Sequence, residues 1–422
     1  MKQNLRLLLP ILCVLLTLAC LGSPEPTTQP VSNATSLPNP STAPTPTVMP
    51  AQFPGLKIAY ILDGNIWFWD GGAPARQITS EGDAAQVKIS DDGAVIAYQR
   101  GQSLWAVNAE GSSPRLLVDV PAYASPILTP RAPGLNLFLA HFEFQPGKHW
   151  VYFSTAWGDQ KPNLLSNDLH RVNADAPTPQ MLLDRDGGTI TFSTDGNLLA
   201  LSSMTSIKVI HADGSGLVTA LSYPVVSLID DYIPQVVWLS NGTGFYTVIP
   251  GIEAGIEDSG EKSKYLFVSA EGNFSAQLAE YEGSILVISP DGLKVAYSNL
   301  TADIWELHII EASTTDTIIA SYEGAPLLVP WGWSPDSKLV TFSNAHPVLL
   351  LTAGIGIPPS PLTESVTPNS LRWVSADRFI FFREGELLIG QINNPETISI
   401  ASGFANDQSD TKHYDFTINP PP

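Results

Sequence analysis

The residues in this sequence that could do chemistry are one serine motif, a few acidic glycine turns and seven histidines. Gly332-Trp333-Ser334-Pro335-Asp336 comes nearest to G-x-S-x-G, the strained elbow that exposes a nucleophilic hydroxyl. It lacks the second glycine, and Pro335 removes a backbone donor. Ser193-Thr194-Asp195-Gly196 fails the S-x-D-x-G-x-x-W box because its glycine follows the aspartate directly. The histidines, from His141 to His413, form neither an H-x-x-x-H pair nor an H-E-x-x-H helix. Asp184-Arg185-Asp186-Gly187-Gly188 is a fragment of a calcium loop, better read as solvated acidic caps on a turn. Asn241-Gly242-Thr243, Asn273-Phe274-Ser275 and Asn299-Leu300-Thr301 fit a sequon short enough to arise by chance. The sequence therefore assigns no catalytic residue, metal ligand or cofactor. A hydrolase or lyase whose site is assembled from dispersed strand ends in a central channel stays open as the alternative.

The elements that would position any site repeat along the chain. Aligned on the glycine of Asp-Gly, the anchors are Gly55, Gly93, Gly147, Gly196, Gly242, Gly292, Ser337 and Asp377, with gaps of 38, 54, 49, 46, 50, 45 and 40 residues. Periods of this size, built from short strands, predict a β-propeller. Four residues past the anchors stand Ala59, Ala97, Val151, Ala200, Tyr246, Ala296, Thr341 and Phe381. One further on stand Tyr60, Tyr98, Tyr152, Leu201, Thr247, Tyr297, Phe342 and Phe382. A mostly small residue followed by a mostly large one suits a strand packed on both faces. Around Gly292, four strands are expected, A to D from the inside outward: Ser284 to Ile288, Lys294 to Asn299, Ile304 to Ile310 and Thr317 to Ser321. Trp67, Trp105 and Trp305 fall on C strands, and Trp238, Trp333 and Trp373 end A strands. That recurrence points to inter-blade packing rather than to a sugar platform.

The first unit has no A strand before it, and the C-terminal HYDFTIN supplies one. Pairing Tyr414 to Ile418 beside the first blade would close the ring and remove both free edges. The fold class is therefore all-β, a single propeller of eight four-stranded blades, or seven if the segment near Gly147 is not a full blade. SDDGAVIAY, STDGNLLAL, SPDGLKVAY and SPDSKLVTF resemble the WD-like repeats of the TolB propeller and of the propeller domain of prolyl-oligopeptidase-type peptidases. The likeness spans roughly Gly55 to Ile418 and implies the fold, with little about function. TolB has an additional N-terminal α/β domain where this chain has a Pro/Thr-rich stretch, and the peptidase would need the serine elbow that is missing.

Residues 1–19 read as a lipoprotein-type signal peptide, with Lys2 and Arg6 ahead of an apolar run from Leu7 to Leu18. The run is shorter than the roughly 20 residues of a bilayer-spanning helix. Thr17-Leu18-Ala19-Cys20 resembles the bacterial lipoprotein cleavage box, which implies lipidation at Cys20, although the family usually has Leu where Thr17 stands. Residues 20–50 form a tether with eight prolines between Ser23 and Pro50. At about 3.1 Å per residue its reach is about 90 Å. Residues 51–422 make the propeller domain. Cys13 and Cys20 are the only cysteines, so the exported body has no disulfide. Without the leader, 19 basic residues face 41 acidic ones. That excess repels phosphate backbones and anionic headgroups and argues against nucleic acid as a partner.

The irregular segments mark where binding would sit. They are the D–A connections Asp119 to Gly134 and Ser222 to Pro234 and the B–C loops Ala156 to Asp168 and Pro250 to Lys264, all in blades two to five. In a propeller these emerge at one end, opposite the A–B and C–D turns. The candidate binding face is Tyr123, Trp157, Asp159, Lys161, Asp230, Asp231, Tyr232, Glu253, Glu257 and Asp258. It implies a protein, peptide or carbohydrate partner for a monomer exported to the outer face of a bacterial membrane and held there by its lipid alone.

Overall fold

Turns such as Ser289-Pro290-Asp291-Gly292 reverse the chain, and the apolar runs on either side pair across the reversal. In the computed structural model seven blades are built on an inner turn of this kind, and the remaining one takes its inner strand from the C-terminus. The structure describes residues 53–124, 136–158, 168–224, 233–251, 262–282, 284–312, 315–323, 327–344, 349–364, 370–405 and 410–418. They form eight four-stranded antiparallel sheets. In seven the strands follow in chain order; in the first, the C-terminal strand Tyr414–Ile418 lies beside Leu56–Leu62, followed by Asn65–Trp69 and Arg76–Gln77. Leu56 faces Ile418 and Tyr60 faces Tyr414, so the last strand is the inner strand of blade one. The segment near Gly147 is a complete blade, Asn136–Phe144, Trp150–Gly158, Leu169–Asn173 and Gln180–Leu183, which fixes the count at eight. Among the described residues no helix is long and apolar enough to cross a membrane.

The corner chemistry repeats in blades two, four, six and seven. In blade six Gly292 N donates to Ser289 O at 2.8 Å, and Ser289 Oγ donates to Asp291 Oδ1 at 2.5 Å. Gly292 has φ 69°, and a Cβ there would run into the Tyr246 ring of blade five. Ser90 and Asp92, Ser193 and Asp195, and Ser334 and Asp336 repeat the serine–aspartate bond. These turns hold corners; their hydroxyls and carboxylates are already committed to one another.

Blades three and eight depart from the expected columns by one residue. In blade three Lys148 N donates to Gln145 O, and Gly147 takes φ 69° at the third place of the turn, as a type II turn requires. Tyr152, facing Glu143, therefore stands where Ala97 and Ala296 stand, and Val151 does not. In blade eight the bond Val374 N to Arg378 O closes a turn one residue shorter than Ser334 N to Leu339 O in blade seven. Ile380, facing Arg372, takes the column expected of Phe381.

The core lies between blades. Ala59, Ile61, Ile66 and Phe68 of blade one pack with Val87, Ile89, Ile96, Tyr98 and Val107 of blade two. Repeated polar locks cross the same interfaces. Arg76 Nη2 donates to Ala109 O at 2.8 Å and Arg171 Nη1 to Ala212 O at 2.7 Å, while Arg115 Nε makes the same bond to Ala174 O. Each arginine thus grips the carbonyl that ends the third strand of the next blade. The tryptophans that end A strands reach the preceding blade: Trp238 Nε1 to Thr191 O, Trp333 Nε1 to Val287 O and Trp373 Nε1 to Thr341 Oγ1, at 3.0–3.1 Å. They belong to the packing.

At the closing seam Tyr414 is fully buried, and its hydroxyl donates to Ser370 O of blade eight at 2.6 Å. Tyr414→Ala removes that bond and opens a cavity among Ile380, Phe382 and Phe404. It should cost about 3–5 kcal/mol in denaturant unfolding, the range for aromatic truncation in a core. A loss below about 1 kcal/mol would show that the seam does not carry this load.

Candidate functional site

The inner strands converge on the axis, and pairing between the first and second strand of each blade puts one residue per blade at a common level. Around the ring these are Asp415, Lys88, Glu143, Thr191, Val237, Val287, Gly332 and Arg372, from blades one to eight. Half of the ring, from blade eight through blades one and two to blade three, is charged and alternates in sign. The other half carries no charge.

The alternation produces pairs. Arg372 Nη1 lies 2.6 Å from Asp415 Oδ1, and Asp415 Oδ2 accepts the backbone N–H of Ile89 at 3.0 Å. Lys88 Nζ lies 2.5 Å from Glu143 Oε2. Burial pulls Lys88 down, but the charges of Glu143 and Asp415 outweigh it and hold its ammonium above the usual lysine range. The side chains of Lys88, Glu143 and Arg372 remain about a third exposed, so solvent reaches them. Two residues from Glu143 on the same strand stands His141, whose buried Nε2 has no hydrogen-bond partner among the described residues. Burial, with the Lys88 charge adding, pulls its pKa down to about 4. His141 is a neutral imidazole beside a fixed cation.

A second cluster lies where the D–A connection of blade two meets the B–C connection of blade three. After the strand Arg115–Asp119, Asp119 Oδ1 accepts from Ala122 N, and one helical turn, Val120–Ala124, carries Tyr123. Tyr123 is half-buried, edge-on to His170 at 5.5 Å and to Phe153 at 6.3 Å. Its hydroxyl is 3.4 Å from His170 Nδ1. His170 Nε2 lies 2.9 Å from Asp168 Oδ2, and Asp168 accepts from Thr155 N at 2.7 Å and Thr155 Oγ1 at 2.5 Å. With Nε2–H facing the carboxylate, Nδ1 is left to accept from Tyr123. Burial and the Asp168 charge push the Tyr123 phenol up, so it stays protonated and acts as a donor. Thr155, Asp168 and His170 are wholly buried. The chain of bonds clamps two connections together rather than offering a base to solvent.

Of the residues expected on the binding face, Trp157 lies on the second strand of blade three, facing Leu137, and Tyr123 lies as above. Asp159, Lys161, Asp230, Asp231, Tyr232, Glu253, Glu257, Asp258 and the lipidation site Cys20 lie outside the described residues. In the acidic turn, the Lys208 ammonium sits on Asp186, as in a solvated cap. Among the described residues no group of three or more His, Cys, Asp or Glu is placed to hold a metal ion. A cavity of about 280 Å³ between blades five and six holds His308, stacked on Tyr297 and flanked by Asp316 at 3.1 Å and Glu306 at 3.3 Å. Those partners too are internal to the chain.

The charged level and the His170 clamp were not singled out in the sequence, yet a signal for the first exists. Val87-Lys88-Ile89, Phe142-Glu143-Phe144, Leu371-Arg372-Trp373 and Tyr414-Asp415-Phe416 each set a charge between two apolar residues on an inner strand.

The His141 imidazole sets a pH dependence whose sign follows from its depression. The unfolded chain takes up a proton below about pH 6.5 and the folded chain only near 4, so its share of stability is complete above pH 6.5 and lost as pH falls toward 4. Urea unfolding of the native chain and His141→Gln between pH 7 and 4 should show a shallower loss in the variant. Parallel curves would mean that His141 does not sense the buried site.

No protein-family model and no curated protein matches the sequence. Solved structures share its fold at a distance. The Dos1 propeller is 12% identical with TM-score 0.49, over 79% of this chain and 91% of that one. Oligogalacturonate lyase in complex with manganese is 14% identical with TM-score 0.44, over 70% and 83%. TolB from Acinetobacter baumannii is 9% identical with TM-score 0.39, over 78% and 81%. What the chain has in common with them is the β-propeller fold.

Proposed function

We propose that this chain is a non-catalytic recognition module, lipid-anchored through Cys20 at the outer face of a bacterial membrane. In this reading residues 20–50 carry the propeller away from the bilayer. The end bearing the D–A and B–C connections of blades two to five takes a protein, peptide or carbohydrate of the envelope. The observation that carries the reading is the contact of Tyr123 with His170. Two of these connections share one buried clamp, so they leave the scaffold side by side from a rigid base. The ionisable groups nearby are committed to internal bonds, which suits a binding platform better than proton transfer.

A hydrolase or lyase with a channel site is the second reading, favoured by the unpartnered His141 Nε2 near Lys88. Reproducible turnover on a panel of glycosidase, lactonase and peptidase substrates would decide for it.

Retention of the intact propeller on peptidoglycan, envelope polysaccharide and envelope protein tests the binding reading. Trp157→Ala combined with Tyr232→Ala should weaken retention about tenfold or more, as loss of aromatic anchors does. Unchanged retention would remove this end from consideration.

A further inference from the structure

We propose that the central channel contains a subsite for a neutral oligosaccharide, built on Trp331 and the alternating charges of blades eight, one, two and three. Trp331 breaks the rule that the other inner-strand tryptophans follow. Trp238, Trp333 and Trp373 donate to the neighbouring blade, whereas Trp331 Nε1 donates to Ser343 Oγ of its own blade at 2.9 Å. It is the extra residue of a bulge between Pro330 and Gly332 on the inner strand Leu328–Trp333. A bulge re-aims a side chain, and this one leaves Trp331 39% exposed with its indole N–H pinned. The next residue, Gly332, stands at the charged level beside the blade that carries Arg372, and a Cβ there would meet nothing within 4 Å. An exposed ring, open space and a part-exposed guanidinium thus follow one another around the channel.

The chemistry of the lining selects the ligand. Arg372 with Asp415, and Lys88 with Glu143, are neutralised as pairs, so the level has no net charge to attract an ion. The chain as a whole, at −20, repels polyanions. What paired charges do offer is a run of donors and acceptors in alternation, and a hydroxyl both donates and accepts. A pyranose also presents a C–H face of positive partial charge, which suits the negative face of an indole. The neutral His141, with Nε2 unpartnered at the blade-three end of the charged run, gives one more directional bond to a hydroxyl. From Trp331 on blade seven to His141 on blade three the lining follows half of the ring, which calls for several linked sugars rather than one.

Calorimetric titration of the intact protein with maltohexaose, cellohexaose and chitohexaose tests the subsite. At least one should bind, with an affinity that changes less than about twofold when ionic strength is raised, because the ligand carries no charge. Trp331→Ala should weaken that binding about tenfold or more, and Trp331→Phe should stay within about threefold of the native protein. His141→Gln, at the far end of the run, provides an independent variant and should weaken binding about threefold or more. Trp157→Ala, at the loop-bearing end, should leave it unchanged, so that failure here and failure of the envelope-binding reading are told apart. Absence of binding by all three hexasaccharides at about 5 mM would overturn the proposal. So would native affinity in both Trp331→Ala and His141→Gln, or loss of binding in Trp157→Ala.

Discussion

Everything in this molecule rests on the five-residue pairing of Tyr414–Ile418 with Leu56–Leu62. Without it, blade one would lack its inner strand, and the second strand, whose Ile58, Ala59, Tyr60 and Ile61 are almost wholly buried, would present an open edge. The same strand places Asp415 between Arg372 of blade eight and the Ile89 amide of blade two. One short strand therefore closes a sheet, fills a core and joins three blades electrostatically.

Once the ring is closed, the interfaces between blades set its rigidity. Apolar clusters fill them, arginine-to-carbonyl and tryptophan-to-carbonyl bonds cross them, and the Ser-Asp-Gly corners spend their polar groups on themselves. Such a scaffold leaves freedom at the ends where connections vary and at the axis where inner strands approach. Both readings of function draw on that division. The clamp of Tyr123, His170 and Asp168 gives the connections a fixed base, and the charged level gives the axis a fixed lining.

The corners, the four strands of blade six to within two residues at each end and the closing strand were legible because turn residues and apolar runs report local geometry. The strand expected at Ser284 to Ile288 is the strand observed, and the closing pair is Tyr414 to Ile418 as expected. The errors came from turn length. Gly147 looks like the other anchors but sits one place earlier in its turn, which displaced Val151 and Tyr152 and hid Glu143 from the column holding Lys88 and Arg372. Asp415 joins that column only through closure, from the far end of the chain. The His170 clamp was invisible for a different reason: Tyr123, Thr155, Asp168 and His170 come from three elements, and no spacing rule links them.

The central claim is that the C-terminal strand is an integral part of blade one and opens only when the whole ring does. Hydrogen exchange on the intact protein addresses it most directly. The account predicts that amides of Leu56–Leu62 paired to Tyr414–Ile418 exchange as slowly as those in the equivalent strand Val95–Arg100, through global unfolding. Fast exchange confined to Leu56–Leu62 and Tyr414–Ile418, with the other blades still protected, would contradict it.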